Sequence, residues 1–538
     1  MNGVRILDCT LRDGAYVVDK FFGENVIQGI IGGLVKSKID IIEIGFLQNE
    51  GKGEGKTIFF DSTDAEKYII PNEKCSYAVL ADYSRYNFDN LDEYSGKSFD
   101  IVRVCFFKKE RYDVIASCRK VKEKGYKVFI QPVDIMGYSD EELLDLIKMV
   151  NEVEPYCFSI VDTFGSMYSD DLERIFTFAN HNLNRKIQIG FHSHNNLQLS
   201  SSLSQEFIRM AKDKRDIVVD TTLNGMGRGA GNTPTELVVQ YMNAKQKGNY
   251  DLDFLLDTIN VYIDNIRQKV EWGYTIPLFI AGCFGAHVNN VSYLLKRNCI
   301  RAKDIRYLIN SLDVNQRKRY DYELLENKYL NYITSDIDDN NEYSKLGSEL
   351  NGKNILLLAT GKSIIDSRKT IQQYILDHNC VVICINNVID KLKLDYVFIS
   401  NNKRFDYWKN NNAFKEYKKI VTSNISTSME NVYKISIRKL VKSGWNNLDN
   451  ALILALRFLD NFDLSSLAIA GADGYFDTSG ANYAVEDFEN NDIIQNADNI
   501  NNEIENMLLN FKNCRKSKYE ISFITSSRYE EVFTEENW

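Results

Sequence analysis

Two histidines one residue apart, His192 and His194, lie in the run GFHSHNN, and the 538-residue chain has only five histidines. The residues before them, Lys186 to Phe191, read as a strand, and positions i and i+2 of a strand share a face. Two imidazoles projecting side by side suit two ligands of one metal ion. Far away in sequence, LDCTLRDG (residues 7–14) also closes a strand and offers a guanidinium, Arg12, beside a carboxylate, Asp13. Two neutral imidazoles and one carboxylate leave about three positions of an octahedral ion open. A 2-oxo acid fills two of them through its carboxylate and keto oxygens. The ion then acts as a Lewis acid on the enolate, and Arg12 stabilises the developing oxyanion.

For these stretches to meet, the intervening elements must gather strand ends at one place. Strand patterns fall at 5–10, 39–46, 76–81, 100–106, 127–133, 157–163, 186–191 and 216–223. Amphipathic segments lie between them at 25–38, 83–94, 111–124, 140–153 and 170–180. Eight strand–helix units over about 250 residues predict a (β/α)8 TIM barrel, with chemistry at the C-terminal rim. Polar residues fall at those ends: Glu43, Arg103, Gln131, Asp134, Asp162, Thr163, and a glycine-rich loop from Asn224 to Asn232. Glu43, Arg103, Thr163 and Asn224 are the candidate substrate contacts. Asn232 is a candidate to orient a metal-bound water or to ligate weakly.

The balance of charge narrows the function classes. The net charge of −10 and pI near 5.3 exclude a basic nucleic-acid-binding surface. The most apolar stretch, residues 276–288, is shorter than the ~20 residues that span a bilayer, and no secretory leader pattern opens the chain. The ten cysteines are scattered, which predicts reduced thiols in a cytoplasmic protein.

The motifs LDCTLRDG, IIEIGF, DTFG, GFHSHNNL and NGMGRGAGN, in this order, resemble the metal-dependent pyruvate-aldolase and HMG-CoA lyase-like (DRE-TIM) superfamily over roughly residues 3–300. The resemblance is nearest to 4-hydroxy-2-oxovalerate aldolase. It implies a divalent metal (Mn²⁺ or Mg²⁺, with Zn²⁺ an alternative) on Asp13, His192, His194 and Asn232, and an enolate-stabilising role for Arg12. The bacterial aldolases of this group carry RDGxH, whereas Tyr16 stands where their general-base histidine falls. Tyr16 and His287, the latter in the segment 282–290 after the barrel, are therefore the candidate bases. The glycine loop also lacks the cysteine of the HMG-CoA lyases.

The barrel is expected over 1–270, ending in a helical segment at 252–269, followed by a helical subdomain at 271–350 with helices at 279–296 and 302–311. That subdomain is expected to form a lid or a homodimer interface. The Asp/Asn-rich stretch 336–342 is the expected boundary. A second α/β pattern follows over 351–538, with strands at 354–359, 381–385, 396–400, 419–423, 434–437, 467–471 and 521–525, and helices at 364–378 and 448–460. This predicts a Rossmann-like parallel sheet whose ligand would sit beyond the strand ends, at Gly361, Lys362, Ser363, Asn386, Asn401 and Asp473. The order of its motifs loosely resembles sialyltransferases, flagellin sugar transferases and a pterin pyrophosphokinase, which implies a nucleotide or nucleotide-sugar ligand. The combined expectation is a carbon–carbon lyase acting on a 2-oxo acid and an aldehyde, in the synthesis of an unusual sugar or surface carbohydrate. The alternatives are an acyl-CoA Claisen synthase and a silent barrel that scaffolds a C-terminal transferase.

Overall fold

The computed structural model describes residues 3–334, 337–489 and 491–534. Its residue contacts divide the chain into two compact units. One comprises residues 1–288 and 314–319, the other 289–313 and 320–538. The helices that follow the barrel are thus shared between the two. Of the expected boundary stretch, Asp336 lies outside the described residues, and a helix begins at Asn340.

The first unit is built on nine strands: β1 (Val4–Asp8), β2 (Ile41–Leu47), β3 (Ile58–Phe59), β4 (Ser76–Asp82), β5 (Ile101–Phe106), β6 (Lys127–Pro132), β7 (Cys157–Asp162), β8 (Gln188–Ser193) and β9 (Ile217–Thr221). Every pairing is parallel, and β1 pairs with both β2 and β9. Eight strands therefore close into a barrel, with β3 added beside β2. All eight expected strands are present. Inside the barrel, Leu7, Cys9, Ile41, Ala78, Ile101, Phe129, Cys157 and Val218 form one buried layer, the packed interior such barrels require.

The surrounding helices follow from local chemistry. Ser139 caps the helix Asp140–Val153 by accepting from the Glu142 N–H, while Glu142 accepts from the Ser139 N–H. Leu143, Leu146, Ile147 and Val150 then fall on the buried face. The expected helix at 83–94 is absent. Asn87 instead caps a single short turn, Phe88–Asn90, because Asn and Asp side chains compete for the backbone donors of a helix. The expected helix 279–296 is two helices, Ile276–Cys283 and Val288–Leu295, broken at Gly285, whose φ is +55°.

The second unit holds a seven-stranded, wholly parallel sheet: β10 (Asn354–Leu358), β11 (Val381–Ile385), β12 (Tyr396–Ile399), β13 (Lys418–Thr422), β14 (Val432–Ile435), β15 (Ser466–Ala470) and β16 (Ile521–Phe523). The strand order is β14-β13-β12-β11-β10-β15-β16. Its buried strands read as continuous apolar runs, as a sheet covered on both faces demands. No helix among the described residues is long and apolar enough to cross a membrane.

Candidate active site

Strand β8 delivers His192 at its end and His194 just past it, where a bridge to Asn232 and the bond from the Asn195 N–H to the Gly231 carbonyl (2.9 Å) hold the backbone. The two rings stand perpendicular, with centroids 5.1 Å apart. Asp13 enters from the turn after β1. One ligand atom from each of Asp13, His192 and His194 lies within 4.8 Å of the others, the only such three-residue cluster among the described residues.

Each group is fixed by a second one. His192 Nδ1 lies 3.0 Å from Asp220 Oδ2, and His194 Nδ1 lies 3.3 Å from the Gly231 carbonyl. Both acceptors assign the proton to Nδ1 and leave each Nε2 as a lone-pair donor. Asp220 pairs with Arg103. Arg103 donates to Glu43 Oε2 (2.7 Å), which also accepts from Arg12 Nε (2.8 Å), and Arg12 Nη1 donates to Asp13 Oδ1 (2.6 Å). Ligand to ligand, these contacts form one continuous chain: His192, Asp220, Arg103, Glu43, Arg12, Asp13. Glu43 and Arg103 are wholly buried. Glu43 sits beside a register shift in β2, the kind of bulge that re-aims a side chain near an active site.

The electrostatics match a cation site. Burial alone would raise the Asp13 carboxyl, but Arg12 and the two imidazoles hold it well below the carboxylate range. Burial pushes His194 down to about 4, so its imidazole is neutral at pH 7. Asp220 is likewise held low, with Arg103 and His192 outweighing its burial. The buried chain holds two guanidinium charges against three carboxylates. A fourth donor is also waiting: Asn232 is buried and its Nδ2 donates to Asp13 Oδ2 (2.5 Å), but its Oδ1 has no hydrogen-bond partner among the described residues. Two imidazole nitrogens, a carboxylate and an orphaned amide oxygen fit a divalent metal that accepts mixed N and O ligands.

The other expected residues divide. Tyr16 lies at the rim with Arg228 over its ring at 5.5 Å, and burial with the nearby Asp13 charge raises its hydroxyl. His287 lies in the break between the two helices, not within one. Its Nε2 lies 2.9 Å from Arg228 Nη2, and burial followed by the Arg228 charge lowers it to about 4. Arg228 thus touches both candidate bases. Thr163 accepts from the Asp134 N–H (2.8 Å). Asn224 points its carboxamide oxygen at Arg267 (2.6 Å) and has no described bond to the ligand cluster. Sequence reasoning passed over Asp220 and Arg228. Asp220 had a readable signal, because a lone acid in a buried apolar strand needs a partner.

In the second unit, Gly361, Asn386, Asn401 and Asp473 line one pocket beyond the strand ends. Lys362 and Ser363 are not among its lining residues. Lys362 donates to the Gly480 carbonyl (2.6 Å), and the Ser363 N–H and hydroxyl both donate to Asp473. The turn after β10 therefore caps itself with the Asp473 carboxylate.

Comparison with known proteins adds likenesses for the barrel. Residues 100–262 match the HMGL-like family. The oxaloacetate decarboxylase of Mycobacterium tuberculosis is 27% identical over 257 residues, covering 47% of this chain and 74% of that protein. The 4-hydroxy-2-oxovalerate aldolase of Thermomicrobium roseum is 26% identical over 341 residues, covering 59% and 93%. Among solved structures, the HMG-CoA lyase of Brucella melitensis aligns with a TM-score of 0.42 at 15% identity, over 50% of this chain and all of that one. The barrel that carries the buried Asp-His-His cluster is thus similar to HMGL-like proteins of the lyase and aldolase type, with the family match itself confined to residues 100–262.

Proposed function

We propose that the barrel is a divalent-metal-dependent aldolase that cleaves or forms a carbon–carbon bond through the enolate of pyruvate, as a 4-hydroxy-2-oxovalerate aldolase does. The observation that carries this reading is the Asp13–His192–His194 cluster with Arg12 beside it. When bound there, Mn²⁺ or Mg²⁺ supplies the Lewis acidity that lowers the energy of a 2-oxo acid's enolate.

The chain's own residues do the rest. Arg12 spends Nε and Nη1 on Glu43 and Asp13, and its Nη2 takes no partner among the described hydrogen bonds. That N–H is free to donate to the enolate oxygen in a nearly dry site, where such a donor is worth most. In cleavage, a base removes the proton of the C4 hydroxyl, the C3–C4 bond breaks, an aldehyde leaves, and the electron pair stays on the pyruvate fragment as the enolate. His287 is the better base, because it is neutral at pH 7 while the raised Tyr16 hydroxyl keeps its proton. Tyr16 is then a hydrogen-bond donor to the substrate. Arg228 must leave His287 Nε2 as the proton is taken.

Decarboxylation of a 2-oxo diacid is the second reading, favoured by the similarity to oxaloacetate decarboxylase. It reaches the same enolate with CO2 as the leaving group. Hydroxylated aldehydes are the acceptors that synthesis of an unusual sugar or surface carbohydrate would require.

The test is exchange of pyruvate methyl protons for deuterium, followed by NMR with Mn²⁺ and then with chelator. Metal-dependent exchange that is lost in Arg12→Ala and His192→Ala supports the enolate. Absence of exchange in protein shown to contain metal counts against pyruvate as donor. Release of CO2 from oxaloacetate, set against aldehyde release from a 4-hydroxy-2-oxo acid, separates the two readings.

A further inference from the structure

The strand order of the second unit reverses direction at β10: the chain builds outward from β11 to β14 on one side and through β15 to β16 on the other. In open parallel sheets such a reversal leaves a crevice beyond the strand ends, where ligands bind. A pocket with about 810 Å³ of empty volume, part of it open to solvent, lies there. It is lined from the ends of β10, β11, β12 and β15.

Three of its groups are built to receive a ligand. Ser400 is 1% exposed, yet its hydroxyl has no hydrogen-bond partner among the described residues, a cost that proteins seldom leave standing. Asn386 is 5% exposed and spends its Oδ1 on the backbone N–H groups of Ser400 (3.0 Å) and Asn401 (3.4 Å). Its Nδ2 has no partner among the described hydrogen bonds. Arg404 supplies a cation, with its guanidinium carbon 3.3 Å from the Phe488 ring centroid and its Nη2 donating to the Phe488 carbonyl (3.3 Å). The two carboxylates in the lining are engaged internally: Asp473 by Ser363, and Asp449 by the N–H groups of Asn298 (2.7 Å) and Cys299 (2.9 Å). Arg404 is therefore left to meet an outside anion.

We propose that this pocket binds a phosphorylated, polyhydroxylated small molecule, with Arg404 on the phosphate and Ser400 and Asn386 on the hydroxyls. A nucleotide and a sugar phosphate share this chemistry. The site stands apart from the barrel reading, since none of its residues belongs to the barrel unit.

Calorimetric titration of the full chain with UMP, CMP, AMP, glucose 1-phosphate and inorganic phosphate, each to about 1 mM, tests it. At least one organic phosphate should bind, with inorganic phosphate about tenfold weaker or worse. Arg404→Gln should weaken binding about 10- to 100-fold. Ser400→Ala should weaken it about tenfold while the unliganded protein keeps or gains thermal midpoint, because no internal bond is lost. If Arg404→Gln does not fold, Ser400→Ala carries the test. Preference for the nucleotides over glucose 1-phosphate, or the reverse, names the source. The proposal is overturned if no titrant binds at that concentration, if inorganic phosphate binds as well as the rest, or if binding survives both substitutions. A lowered midpoint in unliganded Ser400→Ala also overturns it, since it would reveal an internal partner.

Discussion

Asp220 shows how far a residue can act without touching a substrate. It holds His192 Nδ1 at 3.0 Å and so turns Nε2 toward the cluster. Losing such a partner typically costs 10- to 100-fold in metal affinity. Asp220→Asn is therefore expected to weaken Mn²⁺ binding by about that factor, measured by calorimetry on folded variant; unchanged affinity would make the contact incidental. His287 gives a prediction in pH. Its folded value near 4 lies below the ordinary histidine value of 6.5, so it stays neutral at pH 5.5 and remains able to take a proton. His287→Gln should slow aldehyde release from a 4-hydroxy-2-oxo acid about 10²- to 10⁴-fold throughout pH 5.5–7.5. A wild-type inflection near 6.5 that vanishes in the variant would count against this burial. The same shift bears on stability: the unfolded chain takes up this proton first, so the contribution is full above 6.5 and falls as pH drops toward 4. His192, His194 and Asp13 were legible in the sequence because a two-residue spacing on a strand and an RD pair at another strand end carry their chemistry in their types. Arg103 was legible as important but not in role. Nothing in the sequence tells that its guanidinium is spent on Glu43 and Asp220 inside the barrel.

The elements were readable where one period dominated. All eight barrel strands and all seven strands of the second sheet stand within a few residues of their expected positions, because buried parallel strands are unbroken apolar runs. Helices failed where side chains compete with the backbone, as at Asn87, or where one residue redirects the chain, as at Gly285. The loop after β9 is the element on which the cluster depends. A Cβ on Gly227 would stand 2.1 Å from Asn232 Nδ2 and 2.8 Å from Asp13 Oδ2, so no side chain fits without moving two donors. Gly227→Ala should therefore lower metal affinity and exchange rate together, while the circular dichroism of the barrel is kept. Global unfolding of this variant would instead place the glycine in the folding of the loop. Gly190 is a contrasting case. A Cβ there would lie 2.5 Å from Ser159 Oγ inside the strand layer, so its replacement should cost stability, by about 1–3 kcal/mol.

At the scale of the molecule, each unit has its own apolar core. A ligand stabilises the fold that forms its site, by RT ln(1 + [L]/Kd), about 2.7 kcal/mol at a hundred times Kd. Adding Mn²⁺ should raise hydrogen-exchange protection in peptides of the barrel strands and leave the sheet of the second unit unchanged. Protection rising equally in both would mean that the units open together.

The barrel unit is not one continuous piece of chain. The polypeptide departs after Val288, returns for Val314–Arg319, and departs again. That short return visit supplies the Arg317 carbonyl that accepts from the His287 N–H (2.8 Å), and Lys318, whose ammonium pairs with Asp134 (2.6 Å). A gene truncated at codon 288 would encode every metal ligand and yet release His287 from its tether. On the ribosome, the rim is finished only after the intervening segment has emerged. A minimal catalytic fragment must therefore run to residue 319, with the excursion bridged by a designed linker rather than deleted.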